Sequence, residues 1–205
     1  LVNDVIRGGI KQGPDGSIWI GTEGGLSRLL DGQFTNFSAH NGFPPQPVFA
    51  VHIDAEGTAW LGTAGGGLVR IKDGKIAHFD SADGLADDMA FSILEDKQGY
   101  LWMSCNRGIY RVAKKDLQAH ADGLLVRVPC DLFGRGDGLK DPECNGGSTP
   151  NAIAASDGQF YWATGAGVAF LTPGRAERQR LEVPPIIERV LVDRHEADLA
   201  TAIDA

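Results

Sequence analysis

The chain has 205 residues, 42% hydrophobic and 22% charged, which is enough mass to bury a real core. Its formal charge is −8 and its Lys and Arg are scattered, which argues against a nucleic-acid partner. No stretch approaches the ~20 apolar residues that cross a bilayer.

Twenty-eight glycines are about twice the usual share of roughly 7%, so the chain needs many tight turns and therefore many short strands. Leu1 begins without an initiating Met, a basic n-region or a signal-like apolar run, and the first residues already read as strand. The chain is therefore expected to be an internal excerpt of a longer protein.

In chain order, the first marker is Asp15-Gly-Ser-Ile-Trp-Ile-Gly-Thr22, followed by Gly25-Leu-Ser-Arg-Leu29 and then Phe37-Ser-Ala-His-Asn-Gly-Phe43. The second unit repeats it as Glu56-Gly-Thr-Ala-Trp-Leu-Gly-Thr63, Gly67-Leu-Val-Arg-Ile71 and Phe79-Asp-Ser-Ala-Asp-Gly-Leu85. The third carries Gln98-Gly-Tyr-Leu-Trp-Met-Ser-Cys105, Gly108-Ile-Tyr-Arg-Val112 and Phe133-Gly-Arg-Gly-Asp-Gly-Leu139. The fourth carries Asp157-Gly-Gln-Phe-Tyr-Trp-Ala-Thr164 and Gly167-Val-Ala-Phe-Leu171. The aromatic slot is thus Trp19, Trp60, Trp102 and Tyr161, in steps of 41, 42 and 59 residues.

Each unit holds four segments of four to six residues between turn signals. In the second unit these are Val48 to Ile53, Thr58 to Thr63, Leu68 to Lys72 and Lys75 to Phe79. Only Gly, Asn and Asp enter positive φ cheaply, so the Asp-Gly and Glu-Gly pairs mark hairpin turns. Four antiparallel strands per ~40 residues predict an all-β chain of β-propeller blades. The blades fall at about 1–38, 39–80, 81–134 and 135–173, and four of them suggest a partial propeller. The turns at Asp15-Gly16, Asp31-Gly32 and Asp73-Gly74 fall on one face. The loops after Thr22, Thr63, Cys105 and Thr164 fall on the other, the better candidate for binding.

The aromatic slot has two readings: a stacking platform for a ligand, or packing between blades. A large ring at one fixed strand position in every repeat favours packing. The repeated Asp-Gly carboxylates read likewise as turn residues rather than catalytic pairs or calcium ligands. Cys105, Cys130 and Cys144 make neither a disulfide framework nor, with scattered histidines, a zinc pattern, so no metal or cofactor is expected. Cys130 and Cys144 are close enough to close a loop; three partly buried thiols are the alternative.

The Asp-Gly-x-Ile-Trp-Ile-Gly-Thr-x-x-Gly-Leu run, followed by Phe-x-x-x-Asn/Asp-Gly-Leu/Phe, resembles the two-component-regulator propeller repeat over residues 1 to about 173. That family builds periplasmic sensor regions of hybrid histidine kinases and diguanylate cyclases. Glu143-Cys-Asn-Gly-Gly147, with Asp157 to Val168 and Pro173, looks like the closing blade of such receptors. Residues 174–183 then read as a linker. Pro184-Pro-Ile-Ile-Glu-Arg-Val-Leu-Val-Asp193 resembles the opening strand of the β-sandwich that follows, taken to span 184–205. Three features depart from the repeat: Gly8 and Gly9 stand where other blades carry Phe49 or Phe91, an insertion spans about Lys114 to Leu125, and Cys105 occupies a Thr slot.

The resemblance implies a non-catalytic, periplasmic sensing segment for a small molecule or oligosaccharide, attached to the membrane only through segments outside this chain. On the favoured face the candidate contacts are Glu23, Asp87, Asp88, Asn106, Arg107, Arg135 and Asn145. The arginines suit a carboxylate or diol and the acids suit hydroxyls. Streptogramin-lyase-like propellers carry a similar Asp-Gly-x-Ile-Trp motif, so an enzyme is one alternative. Against it, His52 is predicted on an inner strand, His78 on an outer one and His40 in a loop, with no Gly-x-Ser-x-Gly nucleophile motif. A protein-binding platform is the other alternative. Open blade edges also invite self-association.

Overall fold

The computed structural model describes residues 1–176 together with 190–192 and 195–197. The first blade is a four-stranded antiparallel sheet of β1 (Ile6–Gln12), β2 (Ile18–Thr22), β3 (Gly25–Leu30) and β4 (Gln33–Phe37). The second is β5 (Val48–Ile53), β6 (Ala59–Thr63), β7 (Leu68–Lys72) and β8 (Lys75–Phe79). The third is β9 (Ile93–Glu95), β10 (Tyr100–Cys105), β11 (Gly108–Ala113) and β12 (Cys130–Phe133). The fourth pairs β13 (Ala152–Ala154), β14 (Phe160–Thr164) and β15 (Gly167–Leu171). Beyond it, β16 (Val190–Val192) pairs with β17 (His195–Ala197). The protein is all-β, built of propeller blades.

Strand bounds in the second blade differ from the expected segments only at Thr58, which lies just before β6. The fourth blade has three strands among the described residues, not four. The insertion after β11 opens as a helix, α1 (Lys114–Ala121), which buries Leu117 against the third blade. Most of the expected linker, and the expected sandwich strand before residue 190, lie outside the described residues.

The turns follow the residues that mark them. Asp31 and Gly32 have φ of 50° and 75°, and Asp73 and Gly74 have 50° and 74°. Two successive positive φ values give the two-residue hairpin turn whose twist matches its strands.

The core lies between blades. Trp19, Trp60 and Trp102 are buried, so the packing reading of the aromatic slot holds for them. Trp19, Leu26 and Phe37 cluster with Val51, Leu61 and Val69 of the second blade. Trp60, Leu68 and Phe79 cluster with Leu101, Met103 and Tyr110 of the third. Trp102, Ile109 and Phe133 cluster with Phe160 and Trp162 of the fourth.

A buried indole N–H needs an acceptor, and each of these three finds one. Trp60 Nε1 donates to Asp54 Oδ2 at 3.0 Å and Trp102 Nε1 to Asp96 Oδ2 at 2.7 Å. In the first blade Gly13 stands in that carboxylate's place, and Trp19 Nε1 donates to Ser17 Oγ at 2.8 Å instead. Ser17 in turn donates through its hydroxyl and amide to Asp15; these bonds, helped by Arg28, hold the Asp15 carboxyl at about 2.

One glycine device recurs at the turn into the third strand. A Cβ added to Gly25, Gly67 or Gly108 would lie 2.1, 2.0 or 2.1 Å from the carbonyl oxygen of Phe37, Phe79 or Phe133. The fourth-blade equivalent, Gly167, has nothing within 4 Å.

A charged network ties the second blade to the third. Lys114 Nζ lies 3.3 Å from Asp54 Oδ2 and also pairs with Glu95, whose other oxygen lies 2.8 Å from His52 Nε2. Burial pushes the Asp54 carboxyl up, but the Trp60 indole, the Thr58 amide and Lys114 outweigh it and lower its pKa. Burial likewise pulls Lys114 down, and Glu95 and Asp54 more than reverse it. Lys114→Met is expected to cost about 1–3 kcal/mol near neutral pH. The raised Lys114 pKa makes its contribution full below its ordinary 10.5, with loss as pH climbs through the folded value. The lowered Asp54 pKa makes its contribution full above its ordinary 3.8, with loss as pH falls through the folded value. Urea denaturation of both proteins should therefore show a constant gap between these limits that narrows at either extreme; a gap independent of pH would refute the network.

All three cysteines are free thiols. Burial pushes Cys105 up to about 11 and Cys130 and Cys144 up to about 12, so they stay protonated at neutral pH. The Cys130–Cys144 loop closure is not formed, and Cys144 Sγ instead faces Gly108 O at 3.7 Å.

Candidate functional site

At the axis, on the face carrying the loops after Thr22, Thr63, Cys105 and Thr164, a cavity of about 390 Å³ opens. Arg7 of β1, Phe49 of β5 and Phe91 before β9 line it from the inner strands. Asn106, in the β10–β11 turn, lines it too, as do Glu143 to Gly147, which lead into the fourth blade. Gly8 permits the close approach of β1 to β5: a Cβ there would lie 2.7 Å from Val48 O. This is the physical reason the first blade departs from the Phe of its neighbours.

The lead-in segment is held by backbone. Cys144 N donates to Cys105 O at 3.2 Å, Asn145 N to Ala163 O at 2.9 Å, and Gly165 N to Glu143 O at 2.9 Å. Gly146 lies flat on Phe91, since a Cβ there would fall 2.3 Å from its ring. Phe91 in turn meets Phe49 edge-on, with ring centroids 5.8 Å apart. The floor is thus apolar and fixed, and the rim is polar.

Of the seven residues singled out from sequence, Asn106 and Asn145 line this cavity. Glu23 reaches it through Arg7, whose guanidinium it holds at 2.7 Å. The others are spent on local braces. Asp87 Oδ1 accepts from Met89 N at 2.9 Å, and Asp88 accepts from the Ser81 amide at 2.7 Å. Arg107 Nη1 donates to Ala86 O at 2.9 Å and Arg135 Nη1 to Lys140 O at 2.7 Å. Sequence reasoning missed Arg7, Phe49, Phe91 and Glu143 as lining residues. The axial position of the first strand in each repeat pointed to Arg7, Phe49 and Phe91, and no spacing signal pointed to Glu143. Tyr161 also departs from its slot-mates: it is half-buried and meets Phe170 at a tilt, with ring centroids 6.0 Å apart.

Chemically the cavity offers a guanidinium, a carboxylate, two amides and two aromatic edges, a set suited to hydroxyl and carboxylate groups. His52 and His78 lie elsewhere: His52 faces Glu95 and His78 faces Gly66 O. Among the described residues no group of three His, Cys, Asp or Glu is placed to hold a metal ion, and no helix is long and apolar enough to cross a membrane.

Comparison with known proteins bears on this geometry. The "Two component regulator propeller" family model matches residues 1–24 and 84–107. No curated protein matches the chain. Among solved structures, the extracellular domain of the two component system protein BT4673 from B. thetaiotaomicron is 19% identical, with a TM-score of 0.66 over 82% of this chain and 24% of that one. Virginiamycin B lyase from Staphylococcus aureus is 20% identical, with a TM-score of 0.57 over 83% of this chain and 56% of that one. PorZ, a bacterial surface component of the type-IX secretion system of Porphyromonas gingivalis, is 15% identical, with a TM-score of 0.54 over 83% and 26%. The chain therefore spans about a quarter of the two component system domain, and the likeness to all three is one of fold. The chain is thus similar to the two component regulator propeller repeat along these two segments.

Proposed function

We propose that this chain is a ligand-binding part of the periplasmic sensor region of a bacterial transmembrane signalling receptor, with no catalytic step of its own. The observation that carries the binding role is the axial cavity, which gathers Arg7, Asn106, Glu143 and Asn145 over a fixed Phe49–Phe91 floor. The receptor setting rests on the repeat family matched at residues 1–24 and 84–107. Its ligand class is a small polar molecule or oligosaccharide, whose hydroxyl or carboxylate groups fit the rim.

Thermal shift against a panel of oligosaccharides and small carboxylates tests this. A true ligand stabilises by about 2.7 kcal/mol at 100 times its Kd. Asn106→Ala and Arg7→Ala are each expected to weaken that ligand ~10-fold, the loss of one or two hydrogen bonds to a charged or polar group. Arg107→Ala should leave it unchanged. Equal shifts in wild type and both cavity variants would remove the cavity from the site.

The fold likeness to virginiamycin B lyase favours a second reading, a lyase. It needs a convergent acid and base, and His52 and His78 are engaged with Glu95 and Gly66 O. Turnover of a streptogramin B substrate by the chain would establish it.

A further inference from the structure

The charged joint between the second and third blades borders a cavity of about 250 Å³ on the face of the Asp-Gly turns, opposite the axial cavity. Arg70 and Lys72 of β7 line it, with Lys114, Lys115 and Gln118 of α1 across from them. The lining thus holds four cations and two carboxylates, Asp54 and Glu56, in a chain of formal charge −8.

Arg28, Arg70 and Arg111 hold one slot in three successive blades, each opposite its tryptophan. Arg28 lies over the Trp19 ring and pairs with Asp15. Arg111 lies over Trp102 and pairs with Asp131 at 3.0 Å. Arg70 does neither among the described residues. Its one hydrogen bond there goes from Nη1 to the uncharged Gln118, and its Nε has no acceptor. Arg28 Nε also lacks one, but that guanidinium keeps its carboxylate. Arg70 is nonetheless the most enclosed of the three, at 8% exposed. A guanidinium that deep is costly without a counter-charge.

The insertion after β11 explains the difference. Glu56 repeats Asp15 in the marker, yet it turns to Lys114 at 3.5 Å, and Lys114 draws Asp54 as well. The strand position that sets Asp131 against Arg111 sets Ala77 against Arg70. Helix α1 therefore takes up the nearby carboxylates and offers Arg70 only an amide.

We propose that this cavity binds a phosphate group, held by the Arg70 guanidinium with Lys72 and Lys115. Lys72 stands two residues after Arg70, on the same side of β7, and Lys115 lies in the first turn of α1. Neither lysine pairs with a carboxylate among the described residues, whereas Lys114 is engaged by Asp54 and Glu95. Three cations around one opening exceed the single charge of a carboxylate. A phosphate group brings about −1.5 to −2 and three acceptor oxygens, enough to meet a guanidinium and two ammonium groups. The site is separate from the axial cavity and does not depend on the sensing role proposed above.

Calorimetric titration of the chain with inorganic phosphate, at constant ionic strength, is expected to show one site per chain. Lys72→Ala and Lys115→Ala, both at exposed positions, should each weaken phosphate ~10-fold, the loss of one charged hydrogen bond. Ala77→Asp gives Arg70 the carboxylate that Arg111 has, and should weaken phosphate ~30-fold or more. The two lysine variants decide the matter if Ala77→Asp does not fold. Glycerol 3-phosphate separates the sources: binding as tight as inorganic phosphate assigns the site to a phosphorylated molecule, and weaker binding assigns it to the free ion. Absence of phosphate binding overturns the proposal, as does acetate binding equally well or lysine variants that match wild type. Loss of phosphate binding in Arg7→Ala would move the anion to the axial cavity and overturn it too.

Discussion

Gly108→Ala is expected to lower stability by ~4 kcal/mol or more, whereas Gly167→Ala at the equivalent site should cost only ~1–3 kcal/mol. The two glycines share the same unusual backbone, with φ of 139° and 130°, so a side chain is strained at either. They differ in what stands opposite. At Gly108 the new methyl would lie 2.1 Å from Phe133 O, and β12 would have to leave β11 to make room. At Gly167 no fourth strand is present among the described residues and no atom lies within 4 Å. Urea denaturation of both variants separates backbone strain from collision. Equal losses would show that the close approach of glycine to carbonyl does not govern the repeat.

The second large effect belongs to Trp102. Its ring is fully buried, stacks on Phe133 at 5.5 Å and meets Trp162 and Phe160 across the junction at 6.4 Å. Trp102→Ala removes most of the joint between the third and fourth blades and should cost about 3–5 kcal/mol. Trp102→Phe keeps a ring there but leaves Asp96 Oδ2 without its indole donor. Because Asp96 still accepts from the Gln98 and Tyr100 amides, that change should cost about 1–3 kcal/mol. Denaturation midpoints for the two variants should therefore fall in the order Phe above Ala. A Phe variant as unstable as Ala would mean that the indole hydrogen bond, and not the ring, holds the joint.

The blades were legible because each rests on a local rule repeated in sequence. Asp31-Gly32 and Asp73-Gly74 are where positive φ is needed, and the Trp slot recurs on a strand face that must be covered. Asp54 and Asp96 were less visible. They sit six residues before Trp60 and Trp102, and only folding of the β-turn between them brings carboxylate and indole together. The site was legible only in part. Spacing places Asn106, Arg107 and Arg135 at one end of the blades, but it does not set rotamers. Arg107 and Arg135 turn back to backbone carbonyls of Ala86 and Lys140, while Arg7, on a strand with no aromatic at its Gly8-Gly9 step, reaches the cavity.

The three core clusters each span a single joint between consecutive sheets. Adhesion in this molecule is thus pairwise along a line, as in a stack of coupled plates. Freeing the second or the third sheet breaks two of these joints at once. Loosening either the second or the third sheet disturbs the joint centred on Trp60 and Tyr110 together with one neighbouring joint, so that pair opens only with its flanks.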